Sequence, residues 1–383
     1  MRLSHASPAV SAVFDDPNLV SCAGLAPVVA LASRCGLAAL VGAKLTLKAK
    51  GGVNARVKVS ALVAGMVAGA DSIDDMDLLR HGGMRRLFDG IRAPSTFGTF
   101  LRSFTFGHVR QLDSVAASLL TQLARTTPLL PGADTLASVD IDDTVRQTHG
   151  YAKQGVGFGY SGVKSLNALL ATVSTPLAAP VICGTRLRKG STNSARGAGR
   201  FVADALITAK AAGAGGTDGQ GVVLLRADSA FFTYDTIATA RRHDVRFSVT
   251  VRMNPAVLAA IGRIDEAAWT SIVYPDAVWD DEQQRWISDA QVAEIEFTAF
   301  TSRRKAEHIT ARLVVRRVKR LNPRTTSSAS SNEQGELFAS YRYHAFFTDS
   351  LLPLIDADQT HRAHAIVELC TAAGSCRERS TCS

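Results

Sequence analysis

The chain has 383 residues, 46% of them hydrophobic and 20% charged, which excludes an intrinsically disordered protein and leaves room for two or three subdomains. Its formal net charge of +9 favours an anionic partner, of which nucleic acid is the commonest. The six cysteines (Cys22, Cys35, Cys183, Cys370, Cys376, Cys382) form no C-x-x-C pair and no zinc-finger spacing, so they read as reduced thiols.

The opening stretch, MRLSHASPAVSAVFDD, lacks the basic start and apolar run of a secretory signal. No apolar run reaches the roughly 18 residues a membrane helix needs. The expected location is the cytoplasm, with no membrane partner. Residues 1–130 read as a helical region: apolar residues recur at helical spacing in Leu25–Val41, in Val59–Ala70 and in Arg110–Arg125, and a further helix follows Ser95-Thr96. The acidic run Asp71, Asp74, Asp75 and Asp77 reads as a solvated helix start, ended by His81-Gly82-Gly83.

Pro128–Gly132 is a turn-rich boundary, after which the texture changes. Leu136–Asp142, Lys164–Val173, Ala179–Thr185, Val222–Ala227 and Val245–Met253 read as strands, with helices over Gly197–Ala212 and Thr236–His243. This order predicts an α/β fold with a mixed sheet and flanking helices, its first part spanning residues 131–254. The glycine-rich Gly155–Gly162 reads as a turn, because it lacks the Lys-Ser/Thr of a phosphate loop. Residues 255–347 hold all three tryptophans and two basic strand-like stretches, Ile309–Val318 and Leu337–Phe347, and are expected to form a β-rich insertion. A last helix, within residues 348–369, is expected to begin near Asp358 and to carry Glu368.

Asp140 and Asp142 share one face of a strand. Asp228 follows the apolar run Val222–Leu225 at a strand end, where ligands of α/β sheets gather. Strand-end aspartates also cap turns, so neither is decisive alone. With Glu368, they would make a hard oxygen site suited to magnesium or manganese.

The order of these elements resembles the DDE transposases of bacterial insertion sequences. Asp142-Asp143-Thr144 matches their D-x-T, and LLRADSAF (Leu224–Phe231) matches the strand before the second acid. His361-x2-His364-x3-Glu368 keeps the Glu spacing of Y-x2-R-x3-E with both Tyr and Arg replaced by His. The helical stretch Ala68–Met84 also fits. The resemblance implies an RNase H-like catalytic domain in which Asp142, Asp228 and Glu368 hold two magnesium ions, manganese being able to substitute. It implies cleavage and strand transfer on double-stranded DNA, at terminal inverted repeats and target DNA, by a homodimer associated with the nucleoid. Residues 370–383, which follow Glu368, carry no helical pattern and read as an aberrant tail from a frameshift or premature end. A catalytically inactive remnant that only binds DNA is therefore one alternative. A zinc hydrolase built on His361 and His364 is the other, since i, i+3 and i+7 share a helix face.

Two basic groups are candidates for DNA phosphates: Arg186, Arg188 and Lys189, and Arg316, Arg317, Lys319 and Arg320. His361 and His364 join them as candidate DNA contacts, the alternative for all of these being a solvated surface.

Overall fold

The computed structural model describes residues 16, 18–47, 52–88, 90–149, 153–159, 162–216, 218–272, 279–280, 285–286, 290–319 and 341–364. The chain divides into two compact units between Pro128 and Leu129.

The described part of the first unit is helical: α1 (Leu25–Arg34), α2 (Leu37–Lys44), α3 (Ala55–Val67), α4 (Met84–Leu87), α5 (Pro94–Arg102) and α6 (Phe106–Thr126). The continuous helix expected over Leu25–Val41 is broken at Gly36, which sits in the left-handed region at φ 78° and needs glycine's freedom. Two apolar clusters hold the unit. Leu25, Ala64, Met76, Leu79 and Phe97 form one; Leu37, Val41, Val59, Phe100 and Val115 form the other. The acidic run is a short 3-10 helix, Asp74–Leu79, whose Asp75 carboxylate accepts the Ser72 N–H just before it at 2.8 Å. Among the described residues no single helix is long and apolar enough to cross a membrane.

The second unit is built on one ten-stranded sheet. Its strands are β1 (Leu136–Gln147), β2 (Gly157–Phe158), β3 (Lys164–Thr175), β4 (Ala178–Lys189), β5 (Val222–Ala227), β6 (Arg246–Thr250), β7 (Thr270–Ile272), β10 (Ala290–Ala299), β11 (Ile309–Lys319) and β12 (Tyr341–Thr348); β8 (Trp279–Asp280) and β9 (Arg285–Trp286) pair separately. The first hairpins, β1 with β3 and β3 with β4, are antiparallel. β5 joins β1 in parallel and β6 joins β5 in parallel. These two crossovers are made by α7 (Ala198–Ala211) and α8 (Tyr234–Arg242), as parallel neighbours require. Their apolar stripes, with Phe201, Val202, Ala205, Leu206 and Ile237 buried, pack against the sheet. Short α9 (Pro255–Ile261) precedes β7.

The β-rich segment does not stand apart from this sheet. Beyond β6 the order continues β12-β11-β10-β7, with β12 antiparallel to β6 through Phe347 opposite Val249. The free edge of β6 has unpaired backbone groups to satisfy, and Phe347 brings a fully buried ring into contact with Phe247 and Phe297.

The chain then returns along the sheet as α10 (Leu354–Arg362), which begins four residues before the expected start at Asp358. Arg312 of β11 donates to the carbonyls of Ser350 (2.7 Å) and Leu352 (2.8 Å) and so fixes the approach to this helix. Leu354, Ala357, Asp358, His361 and His364 follow one helical stripe. Leu354 and Ala357 meet the apolar surface of Val292, Val314 and Phe346. His361 stacks on Phe346 with ring centroids 4.1 Å apart. The helix thus runs from the added strands back to β5 and β1.

Candidate active site

The parallel pairing of β1 and β5 aligns Asp140 with Arg226 and Ile141 with Ala227. The paired ladder ends there: Asp142 follows Ile141 in β1, and Asp228 follows Ala227, the last residue of β5. Alternation puts both on the face that Asp140 and Arg226 occupy. Neighbouring strands lie about 4.8 Å apart, which keeps the two backbones near one another at this point. Both residues are half-buried. Asp142 Oδ1 accepts the Asp143 N–H at 2.7 Å. Asp228 is the cap of the 3-10 turn Ser229–Phe231 and accepts the Ala230 N–H at 3.0 Å. The capping reading of Asp228 is therefore correct as far as it goes, and it orients the carboxylate.

Two carboxylates brought close repel one another, and a cation between them relieves the repulsion. Their all-oxygen donor set fits a hard divalent ion such as Mg2+ or Mn2+. Among the described residues no group of three or more His, Cys, Asp and Glu side chains is placed to hold a metal ion. Glu368 lies outside the described residues, as do Arg320 and the tail 370–383.

Asp140 has a different task. Its side chain is fully enclosed, and Arg226 grips it with both arms: Nε donates to Oδ1 and Nη2 to Oδ2, each at 2.7 Å. His364 Nδ1 donates to the same Oδ1 at 2.9 Å. Burial pushes the Asp140 carboxyl up, but the hydrogen bonds from His364 and Arg226 outweigh burial and hold it below the usual carboxylate range. The third arm of Arg226, Nη1, donates to the Thr360 carbonyl at 2.6 Å. One carboxylate thereby joins β1, β5 and the end of α10. Sequence reasoning missed Arg226, although a lone arginine inside the apolar strand VVLLRA was a signal that a buried acid must face it.

Asp143 points to the opposite face. It accepts from Asn167 Nδ2 (2.7 Å) and Ser194 Oγ (2.9 Å), with Arg188 at 3.6 Å. Arg188 also donates to Asn167 Oδ1 and to the carbonyls of Asn193, Ser194 and Arg196, all between 2.5 and 3.1 Å. It organises the loop between β4 and α7. Its side chain is only 8% exposed and is held by these internal partners.

Three other arginines expected at DNA also serve internal partners. Arg186 pairs with Asp204 at 2.5 Å and lies over the Phe201 ring. Arg316 pairs with Asp358 of α10 at 3.2 Å. Arg317 is buried: it clasps Glu266, with Nη1 to Oε2 at 2.9 Å, donates to Gln291, and stacks between Trp269 and Tyr341. Lys189 is exposed. Lys319 ends β11, and its side chain lies outside what is described.

The two histidines are likewise occupied. His361 pairs with Ser248 Oγ (2.8 Å) through Nδ1 and with Thr250 Oγ1 (3.0 Å) through Nε2. Burial, together with the neighbouring His364, Arg226 and Arg316, pushes its ring down to about 3, so it stays neutral. Its nitrogens are satisfied by hydroxyls and His364 faces Asp140, so the pair does not converge on a zinc ion. The zinc-hydrolase alternative is set aside on this ground. Within the glycine-rich stretch read as a turn, Gly157–Phe158 instead forms the short strand β2, antiparallel to β3. Cys22, Cys35 and Cys183 are free thiols, and burial pushes Cys183 up to about 12.

A family model described as "Transposase DDE domain group 1" matches residues 4–345. None of the curated proteins matches the chain.

Proposed function

The chain belongs to the DDE transposases, with an RNase H-like mixed sheet, and on that premise we propose that it cuts and rejoins DNA at the ends of an insertion sequence, using Asp142, Asp228 and Glu368. The family works on DNA and uses divalent metal ions. The observation that supports the specific reading is the register of β1 and β5, whose last paired residues, Ile141 and Ala227, immediately precede Asp142 and Asp228.

Asp142 and Asp228 would hold the ions, with Mg2+ the natural choice and two ions the working number. A cation held there would polarise the scissile phosphate and lower the charge repulsion met by an incoming oxygen. The fixed position of Asp228, set by its bond to Ala230 N–H, keeps its second oxygen aimed consistently. Asp142 gains the same advantage from the Asp143 N–H. Such preorganisation is where a phosphoryl-transfer site gains most of its rate, because the protein has little covalent chemistry of its own to perform. Glu368 follows His364 by four residues, one helical turn in sequence, which makes it the natural third acid. A water would open the strand at the element's end, and the freed 3′ hydroxyl would attack a phosphodiester of the target. Lys189, exposed beside the β4–α7 loop, is the candidate from the first basic group to meet phosphate. Terminal inverted repeats, a homodimer and a cytoplasmic, nucleoid-associated location complete the proposal.

The test is strand cleavage by the full chain on duplex DNA bearing the inverted repeats that flank its gene. Mg2+-dependent nicking by the wild type, lost in Asp142→Asn and in Asp228→Asn with DNA affinity unchanged, is the expected result. DNA binding with no cleavage by the wild type would contradict it and leave the inactive remnant as the better account.

A further inference from the structure

We propose that Asp140, Arg226 and His364 are positioning residues for the acid site. The proposal rests on reading Asp142 and Asp228 as a cation site. Asp140 and Arg226 face each other one pleat before those two acids, on the same side of the same two strands. Arg226 precedes Asp228 by two residues, about 7 Å of backbone along the strand. Asp140 takes two of its arms and the Thr360 carbonyl takes the third. Without Asp140, that positive charge would be drawn to the acids and would compete with a cation there. His364 adds the end of α10 to the same carboxylate, across 224 residues of sequence. The helix is thereby tied to β1 and β5 at the pleat preceding the acids, and the chain that follows His364 leaves from a fixed point.

Packing alone does not account for such a network. A buried charged cluster is seldom worth more to stability than apolar side chains of the same volume. Its three members instead fix the direction and charge of the groups next to a cation site. Groups that hold metal ligands in place typically change metal affinity 10- to 100-fold when removed.

The experiment compares His364→Ala with His364→Asn in the full chain. Asparagine places an amide N–H close to where Nδ1 stands, so it restores the bond to Asp140 without the ring. Mn2+ affinity is read from free Mn2+ by electron paramagnetic resonance, and cleavage is read at saturating DNA. His364→Ala should bind Mn2+ at least tenfold more weakly. It should cut more slowly with DNA affinity unchanged, and His364→Asn should recover most of both losses. Should His364→Ala fail to fold, Arg226→Lys, which keeps the charge but not the two-armed grip, is measured in the same way and should show the same weakening. Wild-type Mn2+ affinity in His364→Ala, or in Arg226→Lys where that substitutes for it, overturns the proposal. So does an Asn variant as weak as Ala, or a wild type that binds no Mn2+. A wild type that binds Mn2+ but cuts no DNA refutes the cleavage reading alone, and the ratio of Mn2+ affinities still decides the positioning role.

Discussion

Replacing Asp140 with alanine should be among the most damaging single changes in the second unit. Asp140 is 1% exposed and Arg226 4% exposed, so removal of the carboxylate leaves a guanidinium in a site without water. Breaking a buried pair by deleting one partner costs about 3–5 kcal/mol, mostly the penalty of the abandoned charge. His364 Nδ1 loses its acceptor at the same time. For a unit of this size each kcal/mol lowers the melting temperature by roughly 2–4 °C, giving a drop on the order of 10 °C. Thermal melting of the full chain, followed by far-ultraviolet circular dichroism, reads this directly. The paired change Asp140→Leu with Arg226→Leu removes both charges and should recover a good part of the loss, because the penalty lies in the orphaned charge. The reasoning is refuted if Asp140→Ala melts with the wild type, or if the paired variant is less stable than Asp140→Ala alone.

Arg317→Ala should lower stability by about 1 kcal/mol, the scale of its stacking on Trp269 and Tyr341, the exposed Glu266 adding little. It should leave the salt dependence of DNA binding untouched, whereas a residue on a phosphate would reduce the slope by about 1; urea melts and binding at several salt concentrations separate the two. Acid should weaken the fold through His361. Its ring is held neutral down to about 3, well below the ordinary histidine value of 6.5, so the unfolded chain takes up the proton first as pH falls. The contribution is complete above pH 6.5 and is lost between 6.5 and 3, at about 2 kcal/mol by pH 5. Between pH 7.5 and 5, wild type should therefore lose about that much more stability than His361→Gln in urea melts. Equal losses would show that the ring is not held neutral by the fold.

Much of the framework was legible because it rests on local pattern. The alternation of β1, the apolar run of β5 and the small-residue stripe of α7 each announce themselves within a dozen residues. The position of Asp228 followed, since the end of β5 can be read from the point where its apolar run stops, whereas Asp142, read as a strand end, lies mid-strand because β1 runs on to Gln147. What was not legible depends on who lies beside whom. Asp140 and Arg226 are 86 residues apart, and only the parallel register shows that they are partners. The same applies to the basic residues of β4 and β11. In the sequence, Arg188, Arg316 and Arg317 look like a surface for phosphate, yet Asp143, Asp358 and Glu266 come from other elements to neutralise them. Nor does alternation within Tyr341–Thr348 say that this strand will extend the sheet from the edge of β6. The early start of α10 has a local cause that was passed over: Pro353 precedes it, and the Ala357 N–H finds the Pro353 carbonyl at 2.8 Å.

The claim at the centre is that Asp142 and Asp228 jointly hold a divalent cation. Its most direct measurement is cleavage of inverted-repeat DNA by Asp142→Cys and Asp228→Cys in Mg2+ and in Mn2+. A thiolate is a poor ligand for Mg2+ and a better one for the softer Mn2+. The account predicts that both variants are inactive in Mg2+ and regain cleavage in Mn2+. Cysteine variants that bind DNA yet stay equally inactive in both metals, or that cut as well as wild type in Mg2+, would contradict it.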